Sequence, residues 1–131
     1  MRIMIDSNVI VSAVYNPESK PAKVLSDVCE NHTLVLCDYI IAECYDVVNR
    51  KFPQHLFALN ELFASLGYEL IAAPRTGLTM TDPKDSPILN SAIMADADII
   101  ISGDRHFLLL DIEQPQVFTP TQYLEELGKS F

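Results

Sequence analysis

Short, strongly apolar runs alternate with segments of helical period along this chain, and the alternation predicts an α/β protein built on a parallel sheet. Two observations carry most of that reading. Ile3-Met4-Ile5 and Ile99-Ile100-Ile101 are continuous apolar runs of the kind found in strands buried on both faces, and each is followed within a few residues by an Asp. Between them, Ile40, Ile41, Cys44, Val47 and Val48 recur at the spacing of a helix with one apolar face.

The first strand is expected at about Arg2 to Ile5. After a loop marked by Pro17 and Pro21, a helix is expected over Pro21 to Glu30, where Val24, Leu25 and Val28 share a face. A second strand, Leu34 to Cys37, runs into Asp38, which reads as the N-cap of a helix reaching about Phe52, where Pro53 stops it. Leu56 to Leu66 repeats the helical signal, with Gly67 as its terminator, and the short connection predicts an antiparallel helical pair.

Glu69 to Ala72 is a weak third strand, and Pro74 to Thr81, without period, reads as a surface loop. The next helix carries Ile88, Leu89, Ala92, Ile93 and Ala95. Its start is open between Asp82-Pro83 and Ser86-Pro87, and either choice leaves Asp85 near the helix N-terminus. The run Asp98 to Asp104 supplies a buried strand and a glycine turn. A short helix, a strand at Gln116 to Phe118 and a last helix from about Thr121 to Leu127 follow, the last prepared by the cap chemistry of Thr119-Pro120-Thr121.

No linker, repeat or low-complexity tract divides the 131 residues, so a single domain, 1–131, is expected. No apolar run approaches the roughly 18 residues of a membrane span, and Asp6 and Asn8 interrupt what would be the apolar part of a secretory signal, so the expected location is cytoplasmic. Cys29, Cys37 and Cys44 show no C-x-x-C spacing and read as buried thiols. With 18 acids against 9 bases, the net charge of −9 argues against broad nucleic-acid binding through a basic surface. It leaves room for an enzyme whose acids gather around a divalent cation.

Ligands of open parallel sheets bind beyond the carboxyl ends of the strands, and that rule selects Asp6 and Asp104. Glu43 lies at the shoulder of the apolar face of its helix, and Asp85 stands at a helix N-terminus, where negative charge is favoured. Four carboxylates from four elements, if they meet, need a hard cation between them, Mg²⁺ or Mn²⁺ rather than zinc. Singly, each acid is more often an N-cap or a solvated surface residue than a ligand; Asp96, Asp98, Asp111, Glu125 and Glu126 are assigned to the surface.

The stretches IDSNVIVSA, IIAECYDVV, DPKDSPILNSAIMADADIIISGD and FTPTQYLEEL together resemble the PIN-domain nucleases, in particular the bacterial PIN-family (VapC-like) toxins of toxin–antitoxin pairs. The resemblance implies a three-layer α/β/α fold with a central parallel sheet of four to five strands. It implies metal-dependent hydrolysis of RNA phosphodiesters, with Asp6, Glu43, Asp85 and Asp104 as the acidic quartet, Asn8 supporting the first acid and Ser102 beside the last. It further implies a small antitoxin partner and a homodimer, for which the Leu56 to Leu66 helix pair is the natural surface.

Two positions depart from the pattern: His106 stands where relatives commonly carry another Asp, and Ser86 where many carry an acid or amide. His106 is a candidate to ligate a metal or donate to a phosphate, and Lys84, Arg105, Arg50 and Lys51 are candidate phosphate contacts, although Asp46 and Arg50 also have the spacing of a helix ion pair. A catalytically silent module that binds RNA or protein is the alternative reading. A phosphatase or phosphoacceptor domain is a third, weakened by Asn8 where a second Asp would stand.

Overall fold

The computed structural model describes residues 1–74, 86–110 and 112–128. In chain order the elements are β1 (Arg2–Ile5), α1 (Ser7–Tyr15), α2 (Lys20–Asn31), β2 (Thr33–Cys37), α3 (Asp38–Lys51), a 3-10 turn (Pro53–His55) and α4 (Leu56–Ser65). They continue with β3 (Glu69–Ile71), α5 (Ser86–Met94), β4 (Ile99–Ile101), α6 (Arg105–Leu108), β5 (Gln116–Phe118) and α7 (Pro120–Glu126). The five strands form one sheet in the order β3-β2-β1-β4-β5, and every neighbouring pair is parallel.

That order is the basis of the layers. From β1 at the centre, the chain steps outward through β2 to β3, then returns to the other side of β1 for β4 and β5. Right-handed crossovers in opposite directions place their helices on opposite faces of the sheet, which gives the three-layer α/β/α arrangement. Parallel strands covered on both faces must be apolar throughout, and Ile3, Met4, Ile5, Val35, Leu36, Cys37, Ile100 and Ile101 are fully buried.

One element differs from the sequence reading. The region after β1 is a nine-residue helix, α1, and not a loop. Its sequence SNVIVSAVY buries Val9, Ile10, Val11, Ala13 and Val14, so apolar residues occupy most of its circumference and no single-face period shows. β-branched Val and Ile are mediocre helix formers; packing against α2 and α3 supplies the stability that propensity does not.

Smaller differences concern caps. Cys37, not Asp38, is the N-cap of α3, and Asp38 Oδ1 accepts from the N–H groups of Tyr39 (2.8 Å) and Ala73 (2.9 Å), tying the helix to the end of β3. α4 ends on extended Leu66, and Gly67 does not use the left-handed conformation expected of a terminator. Asp98, read as a surface acid, is partly buried and accepts the N–H of Arg2 at 2.8 Å. The loop expected up to Thr81 and both candidate helix starts before Ser86 lie outside the described residues beyond Pro74.

Two polar clamps hold the layers. Arg2 reaches over β2 to Glu69 with two 2.9 Å bonds and gives its Nε–H to the carbonyl of Ala95. On α2, Asp27 is buried and accepts from the Tyr123 hydroxyl of α7 at 2.5 Å and from Asn31 Nδ2 at 2.8 Å. α7 is fixed at its other end by the reciprocal capping box of Thr119 and Gln122. Among the described residues no helix is long and apolar enough to cross a membrane.

Replacing Tyr123 by Phe keeps the ring in the core and removes the hydroxyl from Asp27. The expected loss of stability is about 1–3 kcal/mol, read as a lower urea midpoint at unchanged slope; an unchanged midpoint would show that α7 docks through its apolar contacts alone.

Candidate functional site

The strand β1 ends at Ile5, and the next residue begins a helix. Asp6 therefore serves two elements: its N–H continues the sheet by donating to the carbonyl of Ile101 at 2.9 Å, while its side chain caps α1. Oδ1 accepts from the N–H of Ser7 at 2.7 Å, and Oδ2 accepts from Ser102 Oγ–H, also at 2.7 Å. Only 3% of Asp6 is exposed.

Serine hydroxyls connect the other acids to it. Ser7 Oγ donates to Glu43 Oε1 on α3 and lies 3.4 Å from Asp6 Oδ1. Ser102 Oγ, while donating to Asp6, accepts the N–H of Asp104 at 2.9 Å. Asp104 in turn caps α6, taking the N–H of His106 on Oδ1 at 2.8 Å, and the His106 ring nitrogen Nδ1 stands 3.0 Å from that same oxygen.

Asp6, Glu43 and Asp104 line one open cleft of about 380 Å³ beyond the carboxyl ends of β1 and β4. Helix spacing builds its walls: Asn8, Val11 and Ser12 come from one face of α1, and Glu43, Val47 and Lys51 follow at four-residue steps along α3, with Phe52 at the end. Burial pushes the Asp6 carboxyl up to about 6; the bonds from Ser102 and Ser7 pull it down, and the Glu43 and Asp104 carboxylates push it up again. The Cys44 thiol, beneath Ser7, is also raised by burial and is inert.

Of the residues expected at a site, Asp6, Glu43, Asp104 and Asn8 line this cleft, and Ser102 lies buried below it. Asp85 and Lys84 fall outside the described residues. Arg50 is engaged with Asp46 at 3.1 Å in the ion pair its spacing predicted, and His106 is turned to Asp104. Ser7 and Phe52 line the cleft without having been singled out. The signal for Ser7 was available, since an Asp followed by Ser and the largely apolar stretch Val9 to Tyr15 is a helix start. The donors are all oxygen, the kind that suits Mg²⁺ or Mn²⁺, although among the described residues no group of three His, Cys, Asp or Glu is already arranged to hold an ion. Each acid is instead held by a donor of the protein itself.

A parallel three-layer α/β/α domain with carboxylates joined across the ends of its central strands is the class that this fold and cleft define. The sequence model of the PIN domain matches residues 2–106, and the chain belongs to that family of nucleases. An uncharacterised protein of Methanocaldococcus jannaschii is 28% identical over 147 residues, spanning 98% of this chain and 93% of that protein. In fold, the chain is similar to one in the crystal structure of VapBC2 from Rickettsia felis bound to a DNA fragment from their promoter. The TM-score is 0.67 at 18% identity, covering 91% of this chain and 98% of that one.

The raised pKa of Asp6 makes a stability prediction. In the unfolded chain its carboxyl titrates near 3.9, so folding favours the protonated form. The contribution of the protonated group is fully present below about pH 4 and is lost as pH rises through about 6. In EDTA, the stability of Asp6→Asn relative to the native protein should therefore grow between pH 4 and pH 7 by on the order of 2–3 kcal/mol and stay level above. Parallel stability curves for the two proteins across that window would contradict it.

Proposed function

We propose that this protein is a Mg²⁺- or Mn²⁺-dependent endoribonuclease acting as the toxin of a toxin–antitoxin pair. The observation that carries the reading is the linkage of Asp6, through Ser7 to Glu43 and through Ser102 to Asp104, in one open cleft. The Glu43 and Asp104 carboxylates both raise the cost of ionising Asp6, and a shared divalent cation is the natural compensation. Membership of the PIN family supports hydrolysis of phosphodiesters, and the fold shared with VapBC2 supports the toxin role.

In this reading Asp6, Glu43 and Asp104 hold the ion, with Asp85 as a fourth candidate. Ser7 and Ser102 keep the Asp6 carboxylate aimed into the cleft, and Lys51 on α3 attracts the substrate phosphate. A metal bound there supplies a water of lowered pKa and neutralises charge on the phosphate oxygens. The antitoxin partner belongs on α4, where Phe57 is 74% exposed and the helix forms an apolar groove with α1 and α2. The same surface is our candidate for a homodimer contact.

Purified protein should cleave RNA with Mn²⁺ and stop with EDTA, and Asp6→Asn should lose at least about 100-fold in rate while keeping its circular-dichroism spectrum, as expected when a group that stabilises the transition state is removed. Equal cleavage by the two proteins would exclude the assignment. One observation favours a second reading, a catalytically silent module that binds RNA or protein: the His106 ring occupies the Asp104 carboxylate. Calorimetry separates the two, because the nuclease binds Mn²⁺ at millimolar concentration or below, whereas a folded protein that releases no heat with the metal supports the silent module.

A further inference from the structure

The acidic cleft poses a problem of affinity. Counterion release by Lys and Arg normally supplies most of the non-specific hold on a nucleic acid, yet this chain has twice as many acids as bases. Among the described residues, Lys51 is the single cation lining the cleft. An interaction that needs no positive charge would add to the hold on the strand.

An aromatic group stands where that interaction is needed. Phe52, which follows Lys51 and lines the cleft, has its ring centroid 5.1 Å from that of Tyr15 and 6.0 Å from that of His55. Tyr15 and His55 are themselves 5.5 Å apart at a shallow 34° tilt. Tyr15 is the last residue of α1, one helix face along from Asn8, Val11 and Ser12, so the two helices that carry Ser7 and Glu43 both lead from the acids to this trio. A cluster that only closed the corner between α3 and α4 would bury its outer ring. Tyr15 is instead 58% exposed.

The geometry points to Tyr15, backed by Phe52 and His55, as a stacking platform for an unpaired base of a single-stranded RNA whose phosphate is held by Lys51. This rests on the ribonuclease reading and deepens it. Aromatic side chains stack on any base face without hydrogen-bond readout, so the platform selects for unpaired strands and not for sequence. It also makes binding weakly salt-dependent, because few phosphates are neutralised.

The test measures the anisotropy of a labelled single-stranded ten-residue oligouridylate in EDTA, where no cleavage occurs. Tyr15→Ala should weaken binding by about 5- to 100-fold, the loss of one base–aromatic stack, while Tyr15→Phe stays within about two-fold of the native protein, a change worth less than half a kcal/mol. The exposed Leu70 of β3 serves as the control, and Leu70→Ala should leave binding unchanged. The slope of log K against log salt should be about −1, and Lys51→Ala should make it shallower by about 0.7. An abasic strand should bind the native protein as weakly as the oligouridylate binds Tyr15→Ala.

The proposal is overturned if Tyr15→Ala binds like the native protein, if the abasic strand binds as well as the oligouridylate, or if the native protein binds neither. Failure of the two readings is distinguishable: native protein that binds through Tyr15 but does not cut with Mn²⁺ refutes the nuclease and keeps the platform. Cutting with undiminished binding by Tyr15→Ala does the reverse.

Discussion

The buried carboxylate of Asp6 is the constraint around which the rest of the molecule is arranged. An isolated charge at such a position costs several kcal/mol, and each nearby element contributes something that makes it tolerable. α1 presents the N–H of Ser7, β4 continues into the hydroxyl of Ser102, and the backbone N–H of Asp6 is occupied by Ile101. The carboxyl is still pushed up to about 6, so these contacts reduce the cost of burial without removing it. The position of Asp6 at the carboxyl end of a central strand is where α/β proteins meet their ligands.

Serines, not basic residues, organise the carboxylates. Ser7 and Ser102 each have one proton to give, and each stands between two acids or an acid and a backbone N–H. Hydroxyls can link the acids without neutralising them, so the cleft remains negative and available to a cation. An arginine in either place would satisfy the charge and occupy the cleft. Among the described residues, Lys51, at the far end of α3, carries what positive charge the cleft has.

Much of this was legible in the sequence because it follows from short-range rules. The strands around Ile3 and Ile100 announced themselves by continuous apolar runs, and the acids that follow them by the rule of strand ends. Glu43 was legible from its place at the shoulder of the apolar face that Ile40 and Cys44 define. α1 was not, because periodicity is visible only when one side of a helix is polar, and α1 is wrapped by α2, α3 and α4. Asp6 was read as the end of a strand when it is equally the start of a helix, and Ser7 was overlooked with it. Asp38 misled in the opposite sense: its type suits a cap, but the cap is Cys37, and its carboxylate is drawn to Ala73 by a contact 35 residues away that no local pattern encodes. The aromatic trio unites positions 15, 52 and 55, which only the packing of α1 on the end of α3 makes neighbours.

The strand order has one more consequence, for the way the molecule comes into being. β1 is the first strand made and lies at the centre, but its partner β4 arrives only after β2, β3 and the helices α1 to α5, and the hydrogen bond between Asp6 and Ser102 spans 96 residues. Pairings of such separation form late and slowly, because the entropy of closing the loop precedes any gain from contact. Glu43 and Ser7 can find each other in the amino-terminal half, whereas Asp104 joins them only when β4 slots in beside β1. The cleft is thus incomplete until β4 is in place, and a molecule folded only through its amino-terminal half possesses Asp6 and Glu43 without Asp104 beside them.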